Sequence, residues 1–191
     1  MCFACERPQP LRHRTGCVRR QRPEFGADAG APQDAEAFLF REARALDDKD
    51  WDAWLACYAP DAEFWMPAWD DDDRLTEDPQ SEISLIYCGN RARMEDRVWR
   101  IESRLSSSLL RLPRTRHLVT NVRVRSVDAA EVVVTANFQV NTYKHEEKRT
   151  DLFFGHYRYR LARKGDALSI REKYIVVCND IIPRQMDIFN V

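Results

Sequence analysis

The chain has 191 residues, of which 44% are hydrophobic and 32% are charged, a composition typical of one globular domain. Its formal net charge of −1 gives no overall attraction to nucleic acid or to an anionic membrane. No apolar run approaches the ~20 residues that a membrane-spanning helix needs, and no apolar core follows the basic N-terminus as it would in a signal peptide. We therefore expect a cytoplasmic protein whose six cysteines stay reduced.

Residues 1–33 differ in composition from the rest of the chain. They contain six arginines, no lysine and several prolines and glycines, and they show no apolar periodicity. This pattern predicts a disordered extension, or one included by an incorrect start site, before a single domain over residues 34–191. A zinc site is the alternative, because four soft ligands fall within sixteen residues. These ligands are Cys2, Cys5, His13 and Cys17. Their later spacings are unusual for zinc, so the disordered extension is the favoured interpretation.

Two helices are predicted to open the domain. Asp34 is a suitable N-cap for the first helix, and Asp50 is one for the second. The apolar stripe of the first helix consists of Ala35, Leu39, Ala43 and Leu46, with Phe38 beside it. The aromatic-rich face of the second consists of Trp51, Trp54, Leu55 and Tyr58. We expect Pro60 to end the second helix.

A short strand, an acidic loop and a third helix follow. Residues 63–66 predict a strand that Pro67 stops. Residues 61–82 contain nine acids opposed by Arg74 alone, which indicates a solvated loop. The third helix is predicted over residues 90–107. Its apolar side consists of Met94, Val98, Ile101 and Leu105.

The last third of the chain predicts an antiparallel meander of four strands. The strands are expected over residues 116–127, 131–143, 151–162 and 167–178. In the first strand we expect Leu118, Val122 and Val124 to face the same way, and the second alternates through Val132, Val134, Ala136, Phe138 and Val140. Turns are predicted at Asp128-Ala129-Ala130 and at Lys164-Gly165-Asp166. This order predicts an α+β fold, a cone-shaped and mostly antiparallel sheet wrapped around the first and third helices.

Several blocks of the chain carry a resemblance to a known family. The blocks are FLFREARALDDKDWDAWLACYAPDAEFWMPAWDDDD (38–73), DPQSEISLIYCGNRARMEDRVWRI (78–101), PRTRHLVTNVRV (113–124) and FFGHYRYRL (153–161). Together they resemble the small (β) subunits of aromatic-ring-hydroxylating dioxygenases of the benzoate, toluate and anthranilate type. The resemblance is ordered along residues 34–191.

The resemblance implies a fold similar to the cones of nuclear transport factor two and ketosteroid isomerase. It implies a non-catalytic chain that forms a trimer beneath three large (α) subunits, giving α3β3. The Rieske [2Fe–2S] cluster and the mononuclear iron would then belong to the large subunit, and a separate reductase would deliver electrons from NADH. The expected substrate is an aromatic carboxylate such as benzoate, toluate, halobenzoate or anthranilate. Neither nucleic acid nor a membrane is an expected partner.

The residue types argue against redox chemistry on this chain. A Rieske cluster needs two Cys and two His ligands in paired loops, and no Cys-x-His pair occurs here. A mononuclear oxygenase iron needs two His and one carboxylate. His117, His156 and Asp61 could supply that set only if the fold brought three separate segments together. We therefore expect neither metal nor cofactor on this chain.

A stand-alone cone-fold isomerase or dehydratase is the alternative function. Its site would combine His117 as general base, Asp61 as orienting acid and Tyr58 as proton donor. The structural interpretation is favoured: Tyr58 belongs to a helix face, Asp61 caps a turn and His117 pairs across a sheet. Cone interiors can hold either arrangement, so the contacts of these three side chains distinguish the two hypotheses.

Surplus aromatic residues after the first strand predict a subunit contact. The segment from Trp65 to Trp69 holds more aromatic surface than a short strand can bury, and aromatic residues and Met are favoured at interfaces. The acidic run that follows could meet basic residues of a partner. Arginines of the third helix could pair locally or cross an interface. The interface candidates are Trp65, Met66, Trp69, Asp70, Asp71, Arg91 and Arg97.

Overall fold

The computed structural model describes residues 31–103, 111–126, 130–182 and 186–191. The helices are α1 (Ala31–Asp48), α2 (Trp51–Ala56) and α3 (Arg91–Glu102), with a short 3-10 helix at Ile188–Asn190. The strands are β1 (Tyr58–Pro67), β2 (Ser84–Cys88), β3 (Arg114–Ser126), β4 (Glu131–Lys144), β5 (Arg149–Lys164) and β6 (Ala167–Val177). Among the described helices, none is long and apolar enough to span a membrane. The possible zinc ligands of the N-terminal segment lie outside the described residues.

The six strands form one curved, open sheet in the order β2-β1-β6-β5-β4-β3. All neighbouring strands are antiparallel except β1 and β6, which run parallel. Helix α1 packs against β3 and α3 packs against β1, so the helices cover the inner face of the sheet. The predicted α+β fold, with its meander of four strands around two helices, is confirmed.

The first helix follows its predicted apolar face, and the second follows it at Trp51 and Trp54, but not all of their predicted ends are correct. Tyr58 begins β1, so the prediction that it belongs to the face of the second helix is wrong. Helix α1 already includes Ala31, so Asp34 lies in its first turn and the prediction that it caps the helix is wrong. Asp50 does cap α2, because its Oδ1 accepts a hydrogen bond from the Ala53 N–H at 3.1 Å. The second helix ends at Ala56, and Pro60 lies inside β1 rather than at a helix end. Proline is tolerated there because the pairing of β1 with β6 is interrupted between Tyr58 and Glu63.

The region after α2 contains more strand than predicted. Strand β1 covers ten residues, and β2, which had no prediction, pairs with it along the edge of the sheet. A bridge between Trp69 and Leu75 closes the start of the acidic loop. Strand β2 was missed because five residues with little alternation give no periodic signal.

Helix α3 begins after Asn90, whose Oδ1 accepts from the Arg93 N–H at 3.0 Å. Its predicted apolar side is confirmed for Met94, Val98 and Ile101, which are buried. The fourth predicted member, Leu105, lies outside the described residues. The helix ends at Glu102, and this end is earlier than the sequence predicted.

A bulge in β3 overturns one prediction about its faces. The register with β4 shifts between Thr120 and Arg123, and Asn121 adopts a left-handed backbone with φ of 53°. Val119 lies before the bulge and packs against the core, as Val122 and Val124 do after it. Leu118 therefore faces away from the core, and the prediction that it shares a face with Val122 and Val124 is wrong.

The inner face of the meander is the apolar core. The predicted alternation of β4 is confirmed, since Val132, Val134, Ala136, Phe138 and Val140 are all buried. Gly155 allows β5 to approach β6 closely, because a Cβ on it would stand 1.9 Å from the carbonyl oxygen of Val176. The same position leaves room for the Phe138 ring, which stacks on Tyr157 with centroids 4.3 Å apart. At the predicted second turn, Gly165 has φ of 61°, as a two-residue hairpin turn requires.

Candidate functional site

The polar centre of the core is the carboxylate of Glu42, which α1 directs into the sheet. It is 1% exposed and accepts four hydrogen bonds. The donors are Trp54 Nε1 at 3.0 Å, Tyr58 OH at 2.7 Å and Lys173 Nζ at 2.8 Å, all to Oε1, and Tyr159 OH at 3.2 Å to Oε2. With four donors in place, most of the hydrogen-bonding capacity of the carboxylate is used within the chain.

Lys173 is the cation of this buried pair. Its side chain, on the inner face of β6, is fully buried. The ammonium lies over three aromatic rings as well as against Glu42, so cation–π contacts replace part of its hydration. The distances from Nζ to the ring centroids are 4.6 Å for Tyr157, 5.4 Å for Tyr159 and 5.7 Å for Phe64. The pair is therefore enclosed by partners on both sides, which a buried ion pair requires.

Burial and the charge of the partners shift the pKa values of Glu42 and of its two tyrosine partners. Burial raises the pKa of Glu42, but the charge of Lys173 and hydrogen bonds from Lys173, Tyr58 and Trp54 outweigh it, so the net pKa is lowered. Burial and the nearby Glu42 charge raise the pKa of Tyr58 and Tyr159 well above the usual range. The carboxylate thus stays ionised and the phenols stay neutral. This arrangement pairs an ionised acceptor with neutral donors and so orders the core.

The sequence analysis missed both members of the pair, although each leaves a signal. Glu42 falls within the helical stripe of α1, three residues after Leu39 and four before Leu46. Lys173 occupies an inward position of the alternating strand β6. Two charged residues of opposite sign, one at a buried position of a helix and one at a buried position of a strand, form the pattern that identifies such a pair.

A second buried polar pair joins the end of α1 to β3. Asp47 Oδ1 lies 2.7 Å from His117 Nδ1, and its Oδ2 accepts from the His117 N–H at 3.1 Å. Burial raises the pKa of Asp47, but the bonds and charge of His117 lower it, with a net downward shift. Nearby, Lys49 Nζ donates to Thr115 Oγ1 at 2.6 Å and to the Leu46 carbonyl at 3.0 Å. Within the described part of the chain, His117 Nε2 is buried and has no hydrogen-bond partner.

The three residues of the alternative enzyme site have separate partners. Tyr58 bonds to Glu42, and His117 bonds to Asp47. Asp61 is exposed and forms an ion pair with Arg171 on the neighbouring strand. The structure therefore does not assemble Tyr58, Asp61 and His117 into one acid–base site.

The possible iron ligands are also kept apart. His117 is on the inner side of the sheet, whereas the side chain of His156 is exposed on the outer side of β5. Across residues 31–103, 111–126, 130–182 and 186–191, no group of three His, Cys, Asp or Glu side chains could hold a metal ion.

The aromatic interface candidates have different environments. Trp65 is half-buried, donates from Nε1 to Ser84 Oγ at 3.0 Å and packs edge-on against Tyr174. Trp69 is 45% exposed, and its Nε1 donates to the carbonyl of Val177 at 2.7 Å. Met66 is fully buried in the core, so its place among the surface candidates is corrected. It faces inward because side chains alternate along β1.

The charged interface candidates form contacts within the subunit. Asp70 closes its own loop by accepting from the backbone N–H groups of residues 72 and 74, and Asp71 is exposed. Arg91 pairs with Glu95 at 3.1 Å, a local partner that the sequence suggested. Arg97 pairs instead with Asp187, near the C-terminus, at 3.0 Å. Their role at a subunit interface stays a prediction.

Three comparisons with known proteins identify the same protein family. A family model described as ring hydroxylating beta subunit matches residues 41–184. The chain is 46% identical over 154 residues to the beta subunit of benzoate 1,2-dioxygenase from Acinetobacter baylyi, covering 81% of this chain and 90% of that protein. Identity to the toluate 1,2-dioxygenase subunit beta from Pseudomonas putida is also 46%, covering 81% and 94%. A crystal structure of the benzoate 1,2-dioxygenase beta subunit from Burkholderia mallei superposes with a TM-score of 0.70 at 43% identity, covering 83% of this chain and 96% of that one.

Proposed function

The chain belongs to the family of ring-hydroxylating dioxygenase beta subunits, and from this premise we propose that it is the structural, non-catalytic subunit of an enzyme that dihydroxylates an aromatic carboxylate. The observation that carries the proposal is the family match, which extends over residues 41–184 of the chain. Benzoate, toluate, halobenzoate and anthranilate are the substrates that the proposal includes.

The chemistry of the interior supports a structural role. The Glu42 carboxylate is saturated by four donors, and its tyrosine partners stay neutral, so the cluster holds α1, β5 and β6 together. A Rieske cluster does not fit this chain, which has no Cys-x-His pair. Of the described cysteines, Cys57, which follows α2, and Cys88, at the end of β2, are buried as free thiols. The redox groups therefore belong to the proposed large subunit, with electrons from NADH through a reductase.

The proposed assembly is α3β3 in the cytoplasm, with this chain as a trimeric base. In that arrangement the subunit contributes its outer surfaces, which hold three catalytic subunits at fixed distances. Trp65, Trp69 and Asp71 remain the residues that we place near a subunit contact, because they combine aromatic surface with negative charge.

Native mass spectrometry tests the proposed function directly. The tagged full chain is purified from its own host grown on an aromatic carboxylate. The expected result is an equimolar assembly with a larger iron–sulfur polypeptide. Recovery of the chain as a lone oligomer, without an iron-bearing partner, would contradict the proposal.

Alanine at Trp69 should reduce recovery of that assembly. Trp69→Phe is the matched control, because it keeps an aromatic ring but loses the N–H that bonds to Val177. Loss of assembly in the alanine variant alone would assign the effect to aromatic packing between subunits. Normal assembly of the alanine variant would remove Trp69 from the interface.

A further inference from the structure

Lys49 occupies a position at the end of α1 that rarely holds a lysine. Its N–H donates to the Leu46 carbonyl at 3.3 Å, and the N–H of the next residue, Asp50, donates to the Ala45 carbonyl at 2.9 Å. These two bonds form a Schellman motif, which closes the helix. The motif puts Lys49 in the left-handed region, with φ of 61°, where glycine or asparagine is the usual residue. The backbone is thereby fixed, and the side chain is held against β3.

The amine of Lys49 has neutral partners only. Its Nζ donates to Thr115 Oγ1 at 2.6 Å and to the Leu46 carbonyl at 3.0 Å, and it lies 5.4 Å from the centroid of the Phe189 ring. The side chain is partly buried. Within the described ranges of the chain, no carboxylate is within ion-pairing distance of it. An amine that loses hydration without gaining a counter-ion is shifted towards its neutral form.

Lys173 shows the opposite arrangement in the same chain. It is also buried beside aromatic rings, but its Nζ lies 2.8 Å from the Glu42 carboxylate. That carboxylate is a full counter-ion for an ammonium group, as a buried charge requires. Of these two lysines, Lys49 is therefore the one that its surroundings prepare to act as a free amine.

The charged groups nearest to the Lys49 amine are already engaged, or they are cationic. Asp47 accepts hydrogen bonds from the backbone N–H and the ring of His117. Asp48 pairs with an arginine one turn earlier in α1. Arg116 is exposed on β3, and its Nη1 donates to the Thr115 carbonyl at 2.9 Å. Its positive charge therefore lies beside the residue whose hydroxyl binds the amine.

These surroundings change the protonation of the amine. Burial lowers the pKa of Lys49 to about 8, and the charge of Arg116 adds to this effect, while Asp47 and Asp48 oppose it. At about pH 7.5, roughly a quarter of the molecules then carry the neutral amine, compared with about one in a thousand for a lysine with the ordinary pKa. Only the neutral amine has the lone pair that attacks an electrophile.

We propose that Lys49 is a modification site, at which the neutral amine adds to carbon dioxide and forms a carbamate. The lone pair of Nζ makes a bond to the carbon of CO2, one C=O double bond opens to leave the negative charge on oxygen, and one proton passes from Nζ to solvent. The reaction needs no oxidant and no cofactor. Carbon dioxide fits this position because it is uncharged and has only three atoms, so it can reach an amine that is partly buried.

The neighbours of the amine suit the product better than the ammonium form. Arg116 repels an ammonium group but attracts the carbamate anion. The Thr115 hydroxyl, which accepts from Nζ, can turn and donate to a carbamate oxygen. The modification replaces a positive charge by a negative one between the end of α1 and the edge strand β3. The inference does not depend on the proposed function, because it concerns this chain alone.

The first test maps the carbamate onto the lysines of the chain. The full chain, as purified from its host, is equilibrated with 13C-labelled bicarbonate at about pH 7.5. Carbamates are then trapped as ethyl esters with triethyloxonium and located by peptide mass spectrometry. Lys49 should carry about ten times more label than the exposed Lys148 and Lys164, which are controls within the same sample.

The second test removes the cation that would stabilise the product. Arg116→Gln should lower the label on Lys49 about threefold, because one partly screened charge at a protein surface has an effect of this order. Arg114→Gln is the matched control, since Arg114 is exposed on the same strand two residues earlier and should leave the label unchanged. Circular dichroism confirms that both variants are folded.

The outcomes decide the inference separately from the proposed function. Label on Lys49 that does not exceed the label on Lys148 and Lys164 would overturn it, and this result needs no variant. An equal loss of label in Arg116→Gln and Arg114→Gln would also overturn it, because the label would then follow the overall charge and not this position. Recovery of the chain without an iron-bearing partner would contradict the proposed function and leave the label on Lys49 unaffected.

Discussion

Replacing Lys173 by methionine removes the cation of the buried pair while keeping a side chain of similar length. The Glu42 carboxylate, 1% exposed, would then retain only the neutral donors Trp54, Tyr58 and Tyr159. Removing one partner of a buried ion pair costs about 3–5 kcal/mol, because the other charge is left uncompensated. The three remaining hydrogen bonds offset part of that cost, so we expect a loss of about 3 kcal/mol in the free energy of unfolding at neutral pH.

The dependence of stability on pH should change sign in the Lys173→Met variant. In the wild type the pKa of Glu42 is lowered. The stability that the ionised carboxylate contributes is therefore fully present above the unfolded-state pKa and is lost as the pH falls. Without Lys173 the effect of burial dominates, and the pKa of Glu42 rises above its usual range. The ionised carboxyl then lowers stability above that raised pKa, and protonation restores it as the pH falls. Relative to wild type, the variant should therefore be more stable at about pH 5 than at about pH 7.

Urea unfolding at the two pH values measures both effects. Glu42→Gln combined with Lys173→Met removes both charges but keeps a carbonyl acceptor, and it should recover most of the loss. Arg171→Met is the surface control, since it breaks the exposed pair with Asp61 and should leave the unfolding midpoint unchanged. A loss below about 1 kcal/mol in Lys173→Met, with pH curves parallel to wild type, would refute the reasoning.

Three further predictions concern other sites in the chain. Burial lowers the pKa of Lys49 to about 8, so stability should rise as the pH increases from about 8 towards 10.5, where the unfolded chain holds a proton that the folded chain has lost. Lys49→Met should abolish that rise in urea unfolding, and an unchanged rise would assign it to another group. Gly155→Ala should lower the free energy of unfolding by about 1–3 kcal/mol in the same assay, because its Cβ would stand 1.9 Å from the carbonyl oxygen of Val176. A variant as stable as the wild type would contradict this close approach of β5 to β6. Alanine at His117 or Asp61 should leave turnover of the assembled enzyme nearly intact, and a loss of about a hundredfold with assembly preserved would contradict the structural role.

Local patterns in the sequence predicted the parts of the fold that depend on nearest neighbours. The Asp50 cap, the buried side of α3 and the alternation of β4 are confirmed, because each follows from a side-chain period or from one hydrogen bond across a few residues. The turn at Gly165 follows from the backbone that a two-residue hairpin requires. The family also follows from the sequence, because the segments that carry the resemblance are continuous stretches that occur in the same order along the chain.

The bulge in β3 shows where local patterns fail. A period of two predicts that Leu118 shares a face with Val122, but the register shift after Thr120 reverses the face. Met66 is likewise buried in the core although composition makes it an interface candidate, because composition cannot say which side of β1 faces the helices. The parallel pairing of β1 with β6 was not predicted, because it joins segments separated by most of the domain.

By itself, the sequence determined the family, the order of the helices and of every strand except β2, and the face that most of them bury. Only the tertiary structure decided which polar groups meet. Lys173 reaches Glu42 across 131 residues of chain, and His117 pairs with Asp47 rather than with Tyr58 or Asp61. The physical reason is that burial follows from a local period, whereas a polar partner depends on strand register and helix packing, which side-chain periodicity does not encode.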